Sequence, residues 1–443
     1  MVPLGQRFGS LRDKVRATIA RLGGGTLLRG TALMAAAEMG NRITRIVTAI
    51  VLARMLTTVE FGIIALILTT YELVRMLIHN GFGARIIQAD EAELDEVCSA
   101  INRLNWMDGA TMCVIQISVA WPMQFFFNAD VAPMLLVLGI VHLIYPIGLV
   151  RSCLALRDNR LGYVAGMQFF QISLDNIATA VLAVMGYGVW AAVLPKVVVA
   201  ILWVVLTLRY VKPARRVAIT PAKMWDVTNF GRRVLAAETL NTFRANADKL
   251  IVGKALGLEA FGIYSFATNT GSGIATGLSG ALGQAALPYL SKGRRNCDLR
   301  ARFITSVKAM SLVIMPLVTL QIVLAPWYVP LVFGAKWIPA IPTLMLMCLG
   351  ALARPVIVAT SQLLRASGAV DLEWRFSKYN AVLFVLAIAA GLPFGIEGVA
   401  ATLALANIVP AVIFAKIALD HVTRGQVESQ AESPSTHFAE AHA

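Results

Sequence analysis

The chain has 443 residues, of which 58% are hydrophobic and only 14% are charged. A soluble domain needs more charge than this to cover its surface, so the composition excludes an ordinary soluble protein and indicates an integral membrane protein. The formal net charge of +14 is also compatible with nucleic-acid binding. The cations, however, cluster in short segments between apolar runs, where they are typical topology signals of membrane proteins.

Residues 1–25 precede the first long apolar run and are rich in arginine and lysine. Within them, Phe8, Leu11, Val15, Ile19 and Leu22 recur at helical spacing. This pattern predicts a basic amphipathic N-terminal segment that lies on an anionic inner leaflet. A solvated basic tail is an equally good interpretation of the same residues.

A transmembrane helix needs about 20 predominantly apolar residues, and the chain offers twelve such runs. We therefore predict an all-α polytopic membrane protein with twelve transmembrane helices in two six-helix lobes. The predicted helices lie near residues 27–53, 61–79, 98–120, 131–150, 162–185, 188–208, 234–253, 260–286, 304–325, 339–363, 377–393 and 397–417. The predicted segments are the N-lobe at 26–208, a cytoplasmic basic inter-lobe loop at 209–233, the C-lobe at 234–420 and a disordered cytoplasmic tail at 421–443.

The loop cations predict the topology of these helices. If the N-terminus is cytoplasmic, the loops on the opposite side of the membrane hold only Arg54, Lys254 and Lys336. Cytoplasmic loops carry an excess of lysine and arginine, so both termini are predicted to be cytoplasmic. Prolines within the predicted helices, Pro146 among them, predict local bends.

The two halves of the chain resemble each other. Residues 36–88 align with residues 236–288 without a gap, at an offset of 200. Glu38 then meets Glu238, Asn41 meets Asn241, and the triplet FGI at 61–63 meets FGI at 261–263. Because each repeat unit has six predicted helices, the repeats are parallel. Parallel repeats recur in transporters, which have the substrate path between the halves.

The first predicted helix carries charged and polar residues in the stretch AAEMGNRITR at 36–45. Glu38, Asn41, Arg42 and Arg45 are spaced i, i+3, i+4 and i+7, which predicts that they share one helix face. A charge at mid-bilayer costs on the order of 3 kcal/mol. We therefore expect this face to line a wet cavity, or its charges to pair locally, as Glu38 with Arg42.

Further charges lie in later helices, and cations outnumber acids within the predicted spans. Because guanidinium groups bind phosphate oxygens through a bidentate fork, this surplus predicts an anionic substrate in a cationic cavity. The predicted substrate-binding residues are Arg42, Arg45, Arg75, Arg244, Lys249, Lys308 and Arg354. The residues predicted to act in ion coupling or pairing are Glu38, Glu72, Glu238, Asp248, Asn41 and Asn241. Local pairing of Arg244 with Asp248 is the alternative for the seventh helix.

The sequence offers no pattern typical of catalysis or of metal binding. Its five cysteines are widely spaced and form no CxxC pair, which disfavours a zinc site or a disulfide framework. His79 and His142 are interpreted as packing or interface residues. We therefore predict that the protein is not an enzyme and needs neither a cofactor nor a metal.

The sequence resembles the flippases of the polysaccharide transporter family, within the multidrug/oligosaccharidyl-lipid/polysaccharide exporter superfamily. The resemblance covers about residues 25–420 and is carried by the charged first helix, by LARMLTTVEFGIIAL at 52–66 and by its echo VGKALGLEAFGIYSF at 252–266. It implies a bacterial inner-membrane protein that moves undecaprenyl-pyrophosphate-linked oligosaccharide from the cytoplasmic to the periplasmic leaflet. It also implies alternating access, with the first, second, seventh and eighth helices lining the cationic cavity.

The resemblance implies a set of partners as well. These are the undecaprenyl-pyrophosphate-linked glycan, membrane lipids, and a polysaccharide polymerase with its chain-length regulator. Nucleic acid is not expected, and the protein is expected to be a monomer. A cation-coupled multidrug antiporter of the same superfamily is the main alternative, because Glu38, Glu238 and Asp248 would suit cationic substrates. A membrane polymerase or glycosyltransferase is a weaker alternative, since no large loop is present to hold a catalytic domain.

Overall fold

A computed structural model describes residues 25–76, 83–215, 217–295 and 298–431, and it omits some side chains within helices, those of residues 231–245 among them. The predicted N-terminal segment, His79 and residues 432–443 lie outside the described residues. The regular structure of the described residues is helical. The chain divides into two compact units, Met1–Asn246 and Ala247–Ala443.

The first unit is built from helices joined by short connections. Pro146 and Pro221 each begin a helix. Asn128, with its left-handed φ of 49°, ends another. Its helices are α1 (Gly25–Met55), α2 (Thr58–Met76), α3 (Gly83–Gln88), α4 (Leu94–Phe127), α5 (Ala132–Ile144), α6 (Pro146–Arg157), α7 (Leu161–Val184), α8 (Leu194–Tyr210) and the start of α9 (Pro221–Arg295). A short 3-10 turn at Gly188–Ala192 precedes α8.

Helices α5 and α6 form one bent element, with 49° between their axes. Pro146 has no N–H to donate to the carbonyl of His142, so the helix bends there, as the sequence predicts. Helix α4 packs closely on the bend at Gly109. A Cβ atom at Gly109 would lie 2.6 Å from the His142 carbonyl oxygen and 2.8 Å from Pro146 Cγ.

The segment after α8 differs from the predicted loop at 209–233. Helix α9 begins at Pro221, well before the predicted start at residue 234. The Thr220 Oγ1 accepts a hydrogen bond of 3.3 Å from the Lys223 backbone N–H, which is the geometry of a helix N-cap, and proline suits the first helical position. The first turns of α9 pack on the first unit, where Val227 is buried in a cluster with Ile101 of α4.

The second unit continues α9 and adds five helices. Helix α9 is interrupted at Gly257, whose φ of 88° lies outside the helical range. The helices that follow are α10 (Leu299–Tyr328), α11 (Ile341–Ala351), α12 (Arg354–Ser367), α13 (Val370–Gly391) and α14 (Gly395–Ala431). Helix α14 continues through residues 421–431, where the sequence predicts a disordered tail. No proline occurs between Pro410 and Pro434 to end this helix earlier.

Seven helical segments in the described residues are long and apolar enough to cross a membrane, or eight if the bent α5–α6 pair is one span. One of them, Asp371–Val422, includes two predicted spans that are separated by the turn at Leu392–Phe394. The charged helices α1 and α2 are not among these segments. The structure is therefore that of a multi-pass membrane protein, while the number twelve and the internal repeat stay predictions.

Candidate substrate-binding surface

One face of α1 is fixed against α7 by polar contacts, called the α1–α7 seam. Asn41 is 2% exposed, and its Oδ1 accepts a hydrogen bond of 3.1 Å from the Ser173 hydroxyl. The Asn176 side chain donates to the Thr44 hydroxyl at 3.0 Å, and the Thr48 hydroxyl donates to the Asn176 carbonyl at 2.8 Å. Asn41, predicted as a coupling or pairing residue, thus lies in a helix–helix contact.

The charged residues of α1 lie outside this seam. Arg42 Nε donates a hydrogen bond of 3.4 Å to Glu38 Oε1, so the predicted local pairing of these two residues is present. Both side chains are partly exposed, at 37% and 51%. Arg45, one turn further along, is exposed and forms no hydrogen bond or ion pair with a described residue. The exposed face of α1 therefore presents two guanidinium groups and a single carboxylate.

Helix α2 presents Glu72 and Arg75 at its surface and Tyr71 in the interior. The Tyr71 ring stacks on the His142 ring, with centroids 5.1 Å apart. Arg75 also lines a small cavity together with Asn105, Asp108, Gly109, Met112, His142, Tyr145, Pro146 and Leu149. The sequence predicts Arg75 as a substrate-binding residue but gives no indication of this cavity, because its other lining residues come from α4, α5 and α6.

Two further polar contacts lie inside the first unit. Lys196 Nζ and Asp175 Oδ2 form an ion pair of 2.9 Å between α8 and α7. The Gln171 amide donates to the Tyr145 hydroxyl at 2.6 Å. Asp175 and Lys196 appear in the sequence only as charges within predicted spans. Their pairing joins residues that lie 21 positions apart and on different helices, so helical spacing could not reveal it.

In the second unit, Asp248 is buried rather than displayed on a cationic surface. It is 6% exposed, and its Oδ2 accepts a hydrogen bond of 2.8 Å from the Tyr264 hydroxyl. Lys249, the next residue, is half-buried. The side chains of Glu238, Asn241 and Arg244 lie outside the described residues, and so does the predicted pairing of Arg244 with Asp248.

The remaining predicted cations of the second unit lie on separate helices. Lys308 is exposed on α10 and forms no hydrogen bond or ion pair with a described residue. Arg354 is the first residue of α12, directly after the break at residues 352–353, and is half-buried. In the second unit, the described residues that the sequence predicts for substrate binding or coupling therefore lie on three helices, α9, α10 and α12. In the first unit, Glu38, Arg42 and Arg45 share the exposed surface of one helix, α1.

The exposed charged groups of α1 and α2 define the chemistry that this surface offers. Within the described ranges, no group of three or more His, Cys, Asp and Glu side chains is placed to hold a metal ion. The exposed groups on α1 and α2 are guanidinium and carboxylate groups, which bind and position charged ligands. Arg42 and Arg45 lie three residues apart, so their side chains occupy neighbouring positions on the helix surface.

The fold is similar to two solved transporter structures. The lipid II flippase MurJ, in its inward closed conformation, superposes with a TM-score of 0.74 at 12% sequence identity, covering 92% of this chain and 94% of MurJ. An inward-facing multidrug resistance MATE family transporter of the MOP superfamily gives a TM-score of 0.63 at 16% identity, covering 90% of this chain and 95% of the other. These similarities and the long apolar helices show the fold of a multi-pass membrane protein.

Sequence relatives narrow this class to one family. Residues 51–342 match the family described as "Polysaccharide biosynthesis protein". The chain is 25% identical to the teichuronic acid biosynthesis protein TuaB of Bacillus subtilis over 377 residues, which are 83% of this chain and 77% of TuaB. It is 25% identical to the lipopolysaccharide biosynthesis protein WzxC of Escherichia coli over 355 residues, which are 77% of this chain and 70% of WzxC. The chain belongs to the polysaccharide biosynthesis protein family, whose members are transporters and not enzymes.

Proposed function

We propose that the protein is a flippase for undecaprenyl-pyrophosphate-linked oligosaccharide repeat units. It moves them by alternating access from the cytoplasmic to the periplasmic leaflet, where they are polymerised into O-antigen, capsule or exopolysaccharide. The observation that carries the proposal is the exposed face of α1, where Arg42 and Arg45 lie one turn apart in a membrane protein. Family membership and the names of the relatives support the same substrate class.

The energetics of α1 favour an anionic ligand on this face. Each charge at mid-bilayer costs on the order of 3 kcal/mol. Glu38 offsets Arg42 through the ion pair of 3.4 Å, but Arg45 has no such partner among the described residues. A pyrophosphate provides oxygens for both guanidinium groups. The α1–α7 seam holds the adjacent side of the helix, which fixes the backbone that carries the two arginines.

The cellular setting belongs to the proposal as well. We place the protein in the bacterial inner membrane with both termini in the cytoplasm, because the loop cations favour that orientation. Its partners are the lipid-linked glycan, membrane lipids, and a polymerase with its chain-length regulator. It acts as a monomer.

The test replaces both arginines of α1 in cells that lack the chromosomal gene. The double variant Arg42→Gln/Arg45→Gln should reach the membrane in normal amounts and export at least tenfold less polymer, since each charged hydrogen bond to phosphate contributes about 1.5–3 kcal/mol. Arg103→Gln is the matched control, because Arg103 is an exposed arginine of α4. Normal polymer in the double variant would remove these arginines from the substrate site.

Cation-coupled export of small molecules is the second candidate. Asp248 favours it, because a buried carboxylate that is held by a tyrosine hydroxyl is suited to bind a cation or a proton. The two functions separate in one experiment. Resistance to cationic drugs on overexpression, combined with unchanged polymer in the deletion strain, would favour the antiporter. Loss of polymer with unchanged drug tolerance would favour the flippase.

A further inference from the structure

A small cavity lies inside the first unit, between α2, α4 and the bend of α5 and α6. The space open to the centre of a water molecule is about 10 Å³, which is close to what one water requires. Its polar and charged lining residues are Arg75, Asn105, Asp108, His142 and Tyr145. This space, called the α4 cavity, is too small for a lipid or a sugar and holds one water.

Two side chains that line the α4 cavity lack a protein partner. Asn105 is 5% exposed, and its Nδ2 has no hydrogen-bond partner among the described residues. Asp108 is half-buried and forms no hydrogen bond or ion pair with a described residue. Buried polar groups are nearly always bonded to protein or to ordered water. A single water in the cavity supplies an acceptor for the Asn105 amide and a donor for the Asp108 carboxylate.

The interface between α4 and α5 has further polar atoms of this kind. Gln116 is fully buried, and neither its Nε2 nor its Oε1 has a partner in the described part of the chain. Gln116 lies against α5, since a Cβ atom at Gly139 would be 3.7 Å from its Cγ. Asn105, Gly109, Met112 and Gln116 follow helical spacing, so they share the face of α4 that carries the cavity. This face is therefore suited to bound water.

Asp108 has an unfavourable position for an ionised carboxylate. It lies near the middle of α4, which is long and apolar enough to cross a membrane. Arg75 lines the same cavity but forms no ion pair with Asp108. A charge in such a place is costly unless it is paired, and a carboxylate escapes this cost by binding a proton.

The other titratable groups beside Asp108 come from neighbouring elements. Arg75 belongs to α2, His142 to α5, and Tyr145 lies at the bend between α5 and α6. The His142 ring stacks on Tyr71 of α2. Among the described residues that line the cavity, Asp108 is the only acid. Proton uptake by Asp108 would therefore leave the positive charge of Arg75 without a compensating charge in the cavity.

We propose that the α4 cavity is a hydrated proton-binding site and that Asp108 is the group that binds the proton. The proton comes from the aqueous phase through the water of the cavity. It forms an O–H bond with one carboxylate oxygen, so the side chain becomes neutral, and release of the proton reverses the step. Use of this charge change in transport rests on the proposed flippase function, whereas proton binding itself does not.

Radiolytic hydroxyl-radical footprinting of the purified full chain in nanodiscs tests the water. Met112 is 2% exposed but lines the cavity, so radicals formed from the bound water should oxidise it. Met310 of α10 is 3% exposed and does not line the cavity, so it should stay unlabelled. Asn105→Leu places an apolar group in the cavity and should lower the labelling of Met112 to that of Met310. Equal labelling of the two methionines in the unaltered chain would overturn the water site.

Infrared difference spectroscopy of the same sample tests the proton. On acidification from neutral to roughly pH 5.5, exposed carboxylates of ordinary pKa stay ionised. The unaltered chain should gain a C=O band of a protonated carboxylic acid that Asp108→Asn lacks. Asp130→Asn should keep the band, because Asp130 is exposed in the turn after α4. Identical difference spectra for the unaltered chain and Asp108→Asn would overturn the assignment of the proton to Asp108.

Polymer export in cells separates this inference from the proposed function. Asp108→Asn should export at least about fivefold less polymer, the lower end of typical couplings between two sites, and Asp108→Glu should retain most of the export. Normal export in Asp108→Asn would show that transport does not use the proton. If the infrared band is absent while Arg42→Gln/Arg45→Gln still lowers export, the proton site is wrong and the flippase stands. Unchanged polymer in the deletion strain would remove the flippase itself.

Discussion

Asn41 and Arg42 are neighbours in the chain but face different surroundings. Asn41 bonds to Ser173 in the α1–α7 seam, while Arg42 pairs with Glu38 at the surface. Glu38, Asn41, Arg42 and Arg45 spread over an arc of about 100° around a helix of 3.6 residues per turn, and Asn41 lies at one edge of that arc. The four residues that helical spacing assigns to one face therefore have two environments. Asn41 packs against α7, and the three charged residues lie at the surface.

This division gives a prediction about stability. Asn41→Ala removes the acceptor of the Ser173 hydroxyl inside the protein, which should lower the free energy of unfolding by about 1 kcal/mol. Met39→Ala shortens an exposed side chain of the same helix and should leave stability unchanged. Thermal unfolding of both purified variants, followed by size-exclusion chromatography, makes the comparison. An equal loss of stability in the two variants would mean that Asn41 has no special role in packing.

Spacing alone predicted part of the site. The i, i+4 relation between Glu38 and Arg42 predicted their ion pair, because neighbours on one helix meet whatever the fold. The ion pair of Lys196 with Asp175 and the bond of Tyr264 to Asp248 join different turns or helices. Such contacts depend on how helices pack, and one sequence contains no measure of that. The roles of the predicted substrate-binding residues stay predictions.

At the scale of elements, the bend between α5 and α6 depends on a glycine of another helix. Helix α4 approaches the bend so closely at Gly109 that a methyl group would meet the backbone of His142. Backbone atoms at a proline bend have little freedom to move away. The sequence predicted the bend through Pro146, but it did not indicate the helix that packs on it.

Two glycine variants test this contact. Gly109→Ala should destabilise the protein by roughly 1–3 kcal/mol, as overpacking does in well-packed interiors. Gly166→Ala should be neutral or stabilise the protein by about 0.5–1 kcal/mol, because a Cβ atom there meets nothing within 4 Å and alanine favours helix. The readout is the temperature of half-unfolding in detergent. An unchanged or raised temperature of half-unfolding in Gly109→Ala would show that α4 has room to move at the bend.

The start of α9 shows where charge misleads a sequence-based prediction. Residues 209–233 were predicted to be a loop because they are basic and interrupt the apolar pattern. The structure instead begins a helix at Pro221, since Thr220 caps it and Val227 packs in the core of the first unit. A capping residue and a few buried apolar side chains are enough to stabilise a helix in a basic segment. The mean hydropathy of the segment reports neither feature.

At the scale of the whole molecule, the connection between α8 and α9 is held to α4 by acidic side chains. Three carboxylates at the start of α4 accept hydrogen bonds from it: Asp95 from the Arg215 N–H at 3.1 Å, Glu96 from Thr220, and Glu93 from Lys223 at 2.7 Å. Glu96 Oε1 accepts both the Thr220 N–H, at 2.9 Å, and the Thr220 hydroxyl, at 2.7 Å. Carboxylates also suit the N-terminus of α4, because the helix dipole is positive there.

These contacts fix the connection that leads into α9. Residues 211–220 are the connection between α8 and α9, and α9 continues into the second unit. A connection bound to α4 at several points cannot act as a loose tether. The first unit extends to Asn246, within α9, and the non-helical backbone at Gly257 interrupts α9 beyond that residue.

Limited proteolysis tests whether these carboxylates restrain the connection between α8 and α9. In Glu93→Gln/Glu96→Gln, trypsin should cleave after Arg215 about tenfold faster than in the unaltered protein, because three hydrogen bonds lose their charged acceptors and the connection opens more often. Glu91→Gln is the matched control, since Glu91 is an acidic residue of the same region that pairs with Arg157 instead. Its cleavage rate should stay unchanged. If the double variant and the control are cleaved equally fast, the carboxylates do not restrain the connection.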